Sequence, residues 1–213
     1  MSVSRRKMLV GIVFALGCAG LWAWLAPAER SLGDRIRLVY LHVSATWAGL
    51  LFLYGTALGG LVRFSGVGRP LDPWFRRTWT AGVALFGLGF ALSLVAAKVS
   101  WGGVFWGEPR VRASLGAVGW AVVSLAVEAA LGSSRLRTLV WPAGAVAVTV
   151  VLARSARILH PEDPIQDVTP LGIRLTFYGI TLLMLCVGAL SAAALPADSP
   201  PNDPSPARVN DLT

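Results

Sequence analysis

The sequence predicts an all-α, polytopic membrane protein, a bundle of six transmembrane helices. Hydrophobic residues make up 55% of the 213 residues and charged residues only 14%, and the mean hydropathy is +0.64. Soluble domains contain about 25% charged residues, so a water-soluble fold of this length could not cover so much apolar surface. Most charges stand between long apolar runs, which is typical of membrane-crossing helices joined by short polar loops.

Five apolar runs reach the length of about 20 residues that a helix needs to cross the hydrocarbon core. They are 8–27, 38–62, 78–97, 113–132 and 175–196. A shorter run at 138–153 is rich in Val, Ala and Leu and has arginines on both sides, so we assign it to a sixth span. Residues 1–196 are therefore predicted to form a six-helix transmembrane domain. Residues 197–213, rich in Pro, Asp, Asn and Ser, are predicted to be a disordered tail.

The first run has features of a signal peptide, because Arg5, Arg6 and Lys7 precede it and Ala26-Pro27-Ala28 follows it. Its apolar part is longer than the about 7–15 residues of a signal-peptide core. We therefore interpret it as a retained helix; cleavage would leave five spans. The three basic residues favour an N-terminus on the inner, cytoplasmic side of the membrane.

The chain contains only two histidines, His42 and His160. His42 lies near the start of the second predicted span, and His160 follows the end of the fifth. Since these two spans run in opposite directions, both histidines are expected on the same face of the membrane. The loop at 98–112, between the third and fourth spans, is expected on that face too.

This loop combines aromatic, glycine, acidic and arginine residues, namely Trp101, Gly102, Phe105, Trp106, Glu108, Arg110 and Arg112. Aromatic faces provide a flat apolar surface, glycine allows a close approach of the backbone, and arginine can hold carboxylates. Alone, such a loop is also typical of an interfacial aromatic belt, and a histidine in a span can simply bond a neighbouring helix. Together with two histidines, however, these groups suit haem, whose iron takes imidazole ligands.

At these residues the chain resembles the haem-handling proteins of cytochrome c biogenesis, in particular the CcmC type (haem exporter protein C), which has a tryptophan-rich outer loop. The resemblance covers roughly residues 30–185. The segment 35–43, followed by Trp47, is similar to the first histidine segment of the family, and 159–161 is similar to the second.

The tryptophan-rich loop matches the family pattern in part. Trp101, Gly102 and Arg110 are in register with it. Phe105 stands in place of a tryptophan, Trp106 is displaced by one position, and Glu108 replaces an aspartate. The histidine segments are therefore the stronger part of the resemblance.

The resemblance implies that haem b is held non-covalently and transiently on the outer face, with His42 and His160 as axial ligands of the iron. The ring would lie against the loop, with contributions from Trp101, Gly102, Phe105, Trp106 and Glu108. Arg110 is the first choice for a haem propionate, followed by Arg112, Arg157 and Arg37. No catalytic constellation is predicted, and the chain is not expected to be an enzyme.

The same resemblance implies a set of partners and a location. Haem would be passed to a haem chaperone of the CcmE type, within a complex that contains an ABC-type ATPase, permease subunits and a small helical subunit. The sequence has no Gly-x-x-x-x-Gly-Lys-Ser/Thr motif, so the ATPase must be another chain. The implied location is the bacterial plasma (inner) membrane; lipid and haem are expected partners, and nucleic acid is not.

Two other functions remain open from the sequence. A haem-free permease subunit of an ABC-type transporter would be expected to have ionisable groups near the middle of the membrane, and Glu128 is the one candidate in a predicted span. A membrane redox carrier with a single haem would also use two histidines. It would retain its haem instead of passing it on.

Three further features have structural interpretations. Cys18 and Cys186 belong to no Cys-x-x-Cys motif and are expected to be buried as small apolar residues. Gly55 and Gly59 form a Gly-x-x-x-Gly motif, which predicts close contact with another helix in this chain or a partner. The Glu128 side chain is expected to reach towards the loop that contains Arg135 and Arg137.

Overall fold

A computed structural model of the protein describes residues 3–30, 32–66, 72–131, 135–156 and 170–196. Within these ranges the chain forms six α-helices and no β-strand, which confirms the predicted fold. The helices are α1 (Val3–Leu25), α2 (Ile36–Phe64), α3 (Asp72–Trp101), α4 (Pro109–Ala130), α5 (Val140–Ala153) and α6 (Leu171–Ala194), and a 3₁₀ helix (Arg135–Leu139) leads directly into α5. Six helical segments are long and apolar enough to cross a membrane. His160, Arg157 and the predicted tail at 197–213 lie outside the described residues.

The helices around the predicted loop extend beyond their apolar runs. α3 continues to Trp101 and α4 begins at Pro109, so the prediction of a loop over 98–112 is too long at both ends. Lys98 in the last turn of α3 complements the negative end of the helix dipole. Proline is well suited to the first helical position, where its missing N–H is not needed. The connection that remains is 102–108.

The centre of the bundle is the antiparallel pair α2 and α3, whose backbones approach each other through glycines. A Cβ atom added at Gly49 of α2 would lie 2.5 Å from the backbone nitrogen of Phe86 in α3. A Cβ atom added at Gly89 of α3 would lie 2.7 Å from the backbone nitrogen of Thr46 in α2. In lipid, helices associate largely through such close packing of small residues.

Within the described part of the chain, the Gly-x-x-x-Gly motif of α2 makes the predicted close contact with another helix at Gly59 and not at Gly55. A Cβ atom at Gly55 would meet no described atom within 4 Å, and one at Gly59 would meet the side chain of Phe75. The motif spacing correctly indicates two glycines on one helix face. Gly59 thus contacts α3 through the Phe75 side chain, whereas the backbones of α2 and α3 approach each other at Gly49.

Two apolar cores lie on either side of the central pair. The first joins α1 and α6 to α2, and the partly buried Ile12 of α1 packs against this core. The buried residues of α1 in it are Ala15, Ala19 and Ala23. Of the two cysteines expected to be buried, Cys18 in α1 is half-buried, and Cys186 in α6 is exposed. The expectation is therefore wrong for Cys186, because its face of α6 is not covered by another described helix.

The second core joins α4 and α5 to the central pair and is centred on Trp79 of α3. This side chain is completely buried, and its ring centroid lies 5.1 Å from that of Trp141 in α5. Its indole nitrogen donates a hydrogen bond of 2.9 Å to the Ala121 carbonyl of α4. One side chain thus contacts both outer helices, and the buried polar atom is satisfied.

Substitution of Gly49 tests the importance of the close α2–α3 contact. Gly49→Ala is expected to lower the midpoint of thermal unfolding in detergent, because the new methyl group must displace the α3 backbone at Phe86. Overpacking of this kind typically costs about 1–3 kcal/mol.

Gly55→Ala is the matched control, since it adds the same methyl group to the same helix in open space. It is expected to leave the midpoint unchanged or to raise it slightly, because alanine favours a helix over glycine by about 1 kcal/mol. Equal losses in the two variants would contradict a special role for the Gly49 contact.

Candidate functional site

One end of the bundle gathers the described residues that the sequence analysis selected. We call this end the outer face, after the orientation that the sequence predicts; it comprises the first turns of α2 and α4, the last turns of α3 and α5, and the connection 102–108. Hydrogen bonds between these elements hold them together. Arg35, at the start of α2, donates to the Ser100 carbonyl at the end of α3 at 3.3 Å. Arg110, at the start of α4, donates to the Leu152 carbonyl at the end of α5 at 3.0 Å.

His42 lies in the second turn of α2, close to the outer face. Its side chain is half-buried, and its carbonyl accepts a hydrogen bond of 2.8 Å from the Thr46 hydroxyl. The same carbonyl faces Gly89 of α3, 3.0 Å from where a Cβ atom of that residue would lie. The glycine contact therefore fixes the backbone of His42 against α3. Because His160 is not among the described residues, the shared face of the two histidines stays a prediction.

The last residue of α3 and the connection 102–108 together expose three aromatic side chains. Trp101, Phe105 and Trp106 are 42%, 47% and 58% exposed. The tight turn at the end of α3 depends on Gly102, which has a φ of 80° and donates from its backbone nitrogen to the Lys98 carbonyl at 3.0 Å. Such a left-handed conformation strongly favours glycine. This glycine thus ends α3 at the point where the exposed rings begin.

Glu108 differs from these aromatic neighbours because it is buried, with only 7% of its surface exposed. It occupies the position just before α4, and its backbone nitrogen donates to the Phe105 carbonyl at 2.9 Å. It therefore does not belong to the exposed surface that the three rings form. The predicted contribution of Glu108 to ligand contact is not supported by this placement.

Arginines at the outer face bond backbone carbonyls. Arg110 Nη1 donates to the Leu152 carbonyl and to the Ser155 hydroxyl, each at 3.0 Å. Arg112 Nη2 donates to the Gly107 carbonyl at 2.8 Å. The carbonyls at helix ends lack regular partners within the helix, and Arg110 supplies a side-chain donor to one of them at the end of α5. Sequence reasoning missed these contacts because most of the partners are distant along the chain.

Arg37 is held in the first turn of α2 by two partners. Its guanidinium lies 3.0 Å from an Asp34 carboxylate oxygen and 4.7 Å from the centroid of the Trp24 ring in α1. Its Nε atom is buried and has no hydrogen-bond partner among the described residues. Through its contact with Trp24, Arg37 thus connects the end of α1 to the first turn of α2.

The buried acid Glu128 lies at the opposite end of the bundle. Only 1% of its side chain is exposed, and its two oxygens accept hydrogen bonds from Arg76 Nη1 at 2.6 Å and from Arg137 Nε at 2.7 Å. The expected direction towards Arg137 is confirmed, and Arg76 of α3 is an additional partner. Burial of an unpaired charge would be very costly, so the two arginines account for the presence of an acid here.

Comparison with known proteins gives one similarity and no family assignment. No family model matches the chain. A stretch of 105 residues is 30% identical to a putative cytochrome c biosynthesis ccmC-like mitochondrial protein of Marchantia polymorpha. The stretch covers 48% of this chain and 42% of the relative, so the similarity spans less than half of either protein. It confirms the resemblance to the CcmC type that the sequence analysis found.

Removal of the Glu128 charge tests its structural role. Glu128→Gln is expected to destabilise the protein in detergent by about 3–5 kcal/mol, because the substitution leaves two partly buried arginines without their anion. Thermal unfolding of the purified variants provides the measurement.

Asp34→Asn serves as the control, because it removes a carboxylate that is also paired with an arginine but is 72% exposed. An exposed pair of this kind is worth about 0–1 kcal/mol. A loss for Glu128→Gln no larger than that for Asp34→Asn would contradict the structural role of the buried acid.

Proposed function

We propose that the protein binds haem at its outer face and delivers it to a haem chaperone during the maturation of c-type cytochromes. The observation that supports this proposal best is the placement of three exposed aromatic side chains at the same end of the bundle as His42. Two of them, Phe105 and Trp106, lie on the seven-residue connection 102–108, and the third is the adjacent Trp101. The relative from Marchantia polymorpha, whose name refers to cytochrome c biosynthesis, supports the same process.

The described residues at the outer face fit haem as a cargo. Haem is flat and largely apolar, and the exposed faces of Trp101, Phe105 and Trp106 offer a matching surface. His42 is half-buried close to the outer end of α2, where an imidazole can reach an iron atom at the membrane surface. We expect His160 to provide the second axial ligand.

The large exposed fraction of these aromatic rings favours delivery over permanent storage. A haem that lies on an open surface can be approached by a second protein, whereas a haem enclosed between helices cannot. Two imidazole ligands without a covalent attachment also allow release. The partners in our proposal are a chaperone of the CcmE type and the ATPase, permease and small helical subunits of a maturation complex.

The alternative of a haem-free permease subunit receives no specific support. Its candidate residue, Glu128, lies near the inner end of α4 and bonds Arg76 and Arg137. Among the described residues, it is the only acidic residue that is both in a helix and almost completely buried. The pairing explains it as a structural residue, so the haem proposal remains the better-supported one.

Absorption spectra of detergent-purified protein, loaded with haem, test the proposal directly. Wild type is expected to show a Soret band with low-spin α and β bands. His42→Ala and His160→Ala should each shift or weaken these bands, and the double variant should lose them, because both axial nitrogens are gone. A wild type that takes up no haem, or variants with unchanged spectra, would remove the basis of the proposal.

Substitution of the aromatic residues separates a haem surface from an interfacial belt. Trp101→Ala and Trp106→Ala are each expected to weaken haem binding about three- to tenfold, the range that one aromatic contact is worth. Binding is measured by titration of the Soret absorbance.

Trp120→Ala is the matched control, because Trp120 is 51% exposed but lies in the middle of α4, away from the connection 102–108. It should bind haem like wild type. Equal weakening in all three variants would indicate a general effect of tryptophan loss and no specific aromatic surface.

A further inference from the structure

Arg110 bonds the end of α5 from the first turn of α4. Its Nη1 atom donates to both the Leu152 carbonyl and the Ser155 hydroxyl at 3.0 Å, and its side chain is half-buried. Leu152 lies in the last turn of α5, and Ser155 follows the helix. The arginine also stands two residues after Glu108, the last residue of the connection 102–108.

The end of α5 has a physical need for such a cation. The last four carbonyls of a helix have no partner within the helix, and the partial negative charge at this end favours a basic group. Ser155 satisfies part of this need, because its backbone nitrogen and its hydroxyl donate to the Leu152 carbonyl at 3.3 Å and 2.7 Å. Arg110 contacts the same carbonyl and the same hydroxyl, so the three groups form one compact cluster.

We infer that Arg110 is a positioning residue, which fixes the end of α5 to the connection that exposes the aromatic rings, and that its Nη1 atom is occupied by this role and is not offered to a carboxylate of the ligand. The ligand in this inference is haem, so the inference rests on the proposed function. The contact between Arg110 and the end of α5 is present without haem. To bind a propionate with Nη1, Arg110 would have to leave both the Leu152 carbonyl and the Ser155 hydroxyl. The nearby Arg112 is exposed, and the hydrogen bond described for it is to the Gly107 carbonyl in the connection 102–108.

The cluster matters for haem because it joins two parts of the outer face. On one side is the connection with Phe105 and Trp106. On the other is the end of α5 with Ser155; His160, the expected second ligand, follows later in the sequence and lies outside the described residues. A loose α5 end would allow these two parts to separate, and a ligand that touches both would then bind more weakly, whether or not it has carboxylates.

Haem and its dimethyl ester, in which both propionates are uncharged, distinguish the two roles of Arg110. If the arginine positions α5, Arg110→Gln weakens the binding of both compounds by the same factor, on the order of tenfold for the loss of a charged hydrogen-bond donor. If it binds a propionate, the variant weakens haem binding and leaves binding of the ester unchanged. The second result would overturn the inference.

Ser155→Ala tests the cluster without removal of the arginine. It is expected to weaken binding of haem and of the ester equally, about threefold, since it removes one neutral hydrogen-bond partner. Ser65→Ala is the control, because Ser65 makes a similar local hydrogen bond, to the Val62 carbonyl at 2.6 Å, at the other end of α2. Equal behaviour of Ser155→Ala and Ser65→Ala would contradict the positioning role.

Hydrogen exchange in the ligand-free protein tests the inference independently of haem. Arg110→Gln should accelerate amide exchange in the connection 102–108 and in the last turn of α5, and Arg110→Lys should restore part of the protection. Arg112→Gln should leave the exchange of α5 unchanged. Unchanged exchange in Arg110→Gln would overturn the positioning role, whereas failure of wild type to bind haem would overturn only the proposed function.

Discussion

Close contact between the backbones of α2 and α3 is the constraint on which the rest of the bundle depends. The hydrocarbon core provides no water for unpaired backbone groups, so each span must be a helix, and helices in lipid need close packing to associate. Gly49 and Gly89 allow this packing. Both apolar cores are built on the resulting pair, and so is the outer face, because His42 belongs to α2 and Trp101 to α3. The close packing at Gly49 and Gly89 thus brings together the helix of His42, the candidate iron ligand, and the helix of Trp101, a candidate stacking residue.

Composition and the length of apolar runs were sufficient to predict the fold class and the number of helices. They could not predict where α3 ends, because a helix can continue into the polar interface until a residue such as Gly102 allows the chain to turn. The spacing of Gly55 and Gly59 placed both on one helix face, but spacing carries no information on which helix lies opposite. For Glu128, the partner close in sequence was predictable, and Arg76 was not, since 52 residues separate the two.

The outer face shows why the roles of arginines are difficult to assign from sequence. A guanidinium binds a helix-end carbonyl and a ligand carboxylate with the same donors, so a motif that contains Arg110 is compatible with both. The structure adds the partners, Leu152 and Ser155, which lie more than 40 residues away. The aromatic residues are a simpler case, because their exposure could be expected from a short connection with several large rings.

The pairing of Glu128 also has a consequence for how the chain enters the membrane during synthesis. An acidic residue opposes the transfer of a helix from the translocon into lipid, and Arg137 is made only after α4. Arg76, by contrast, precedes Glu128 by 52 residues and is made before α4. The acid can therefore be neutralised by an earlier helix as α4 enters the bilayer, and the later arrival of the 3₁₀ helix and α5 completes the pair. The first half of the protein thus supplies a partner for the one buried acid described in a helix of the second half.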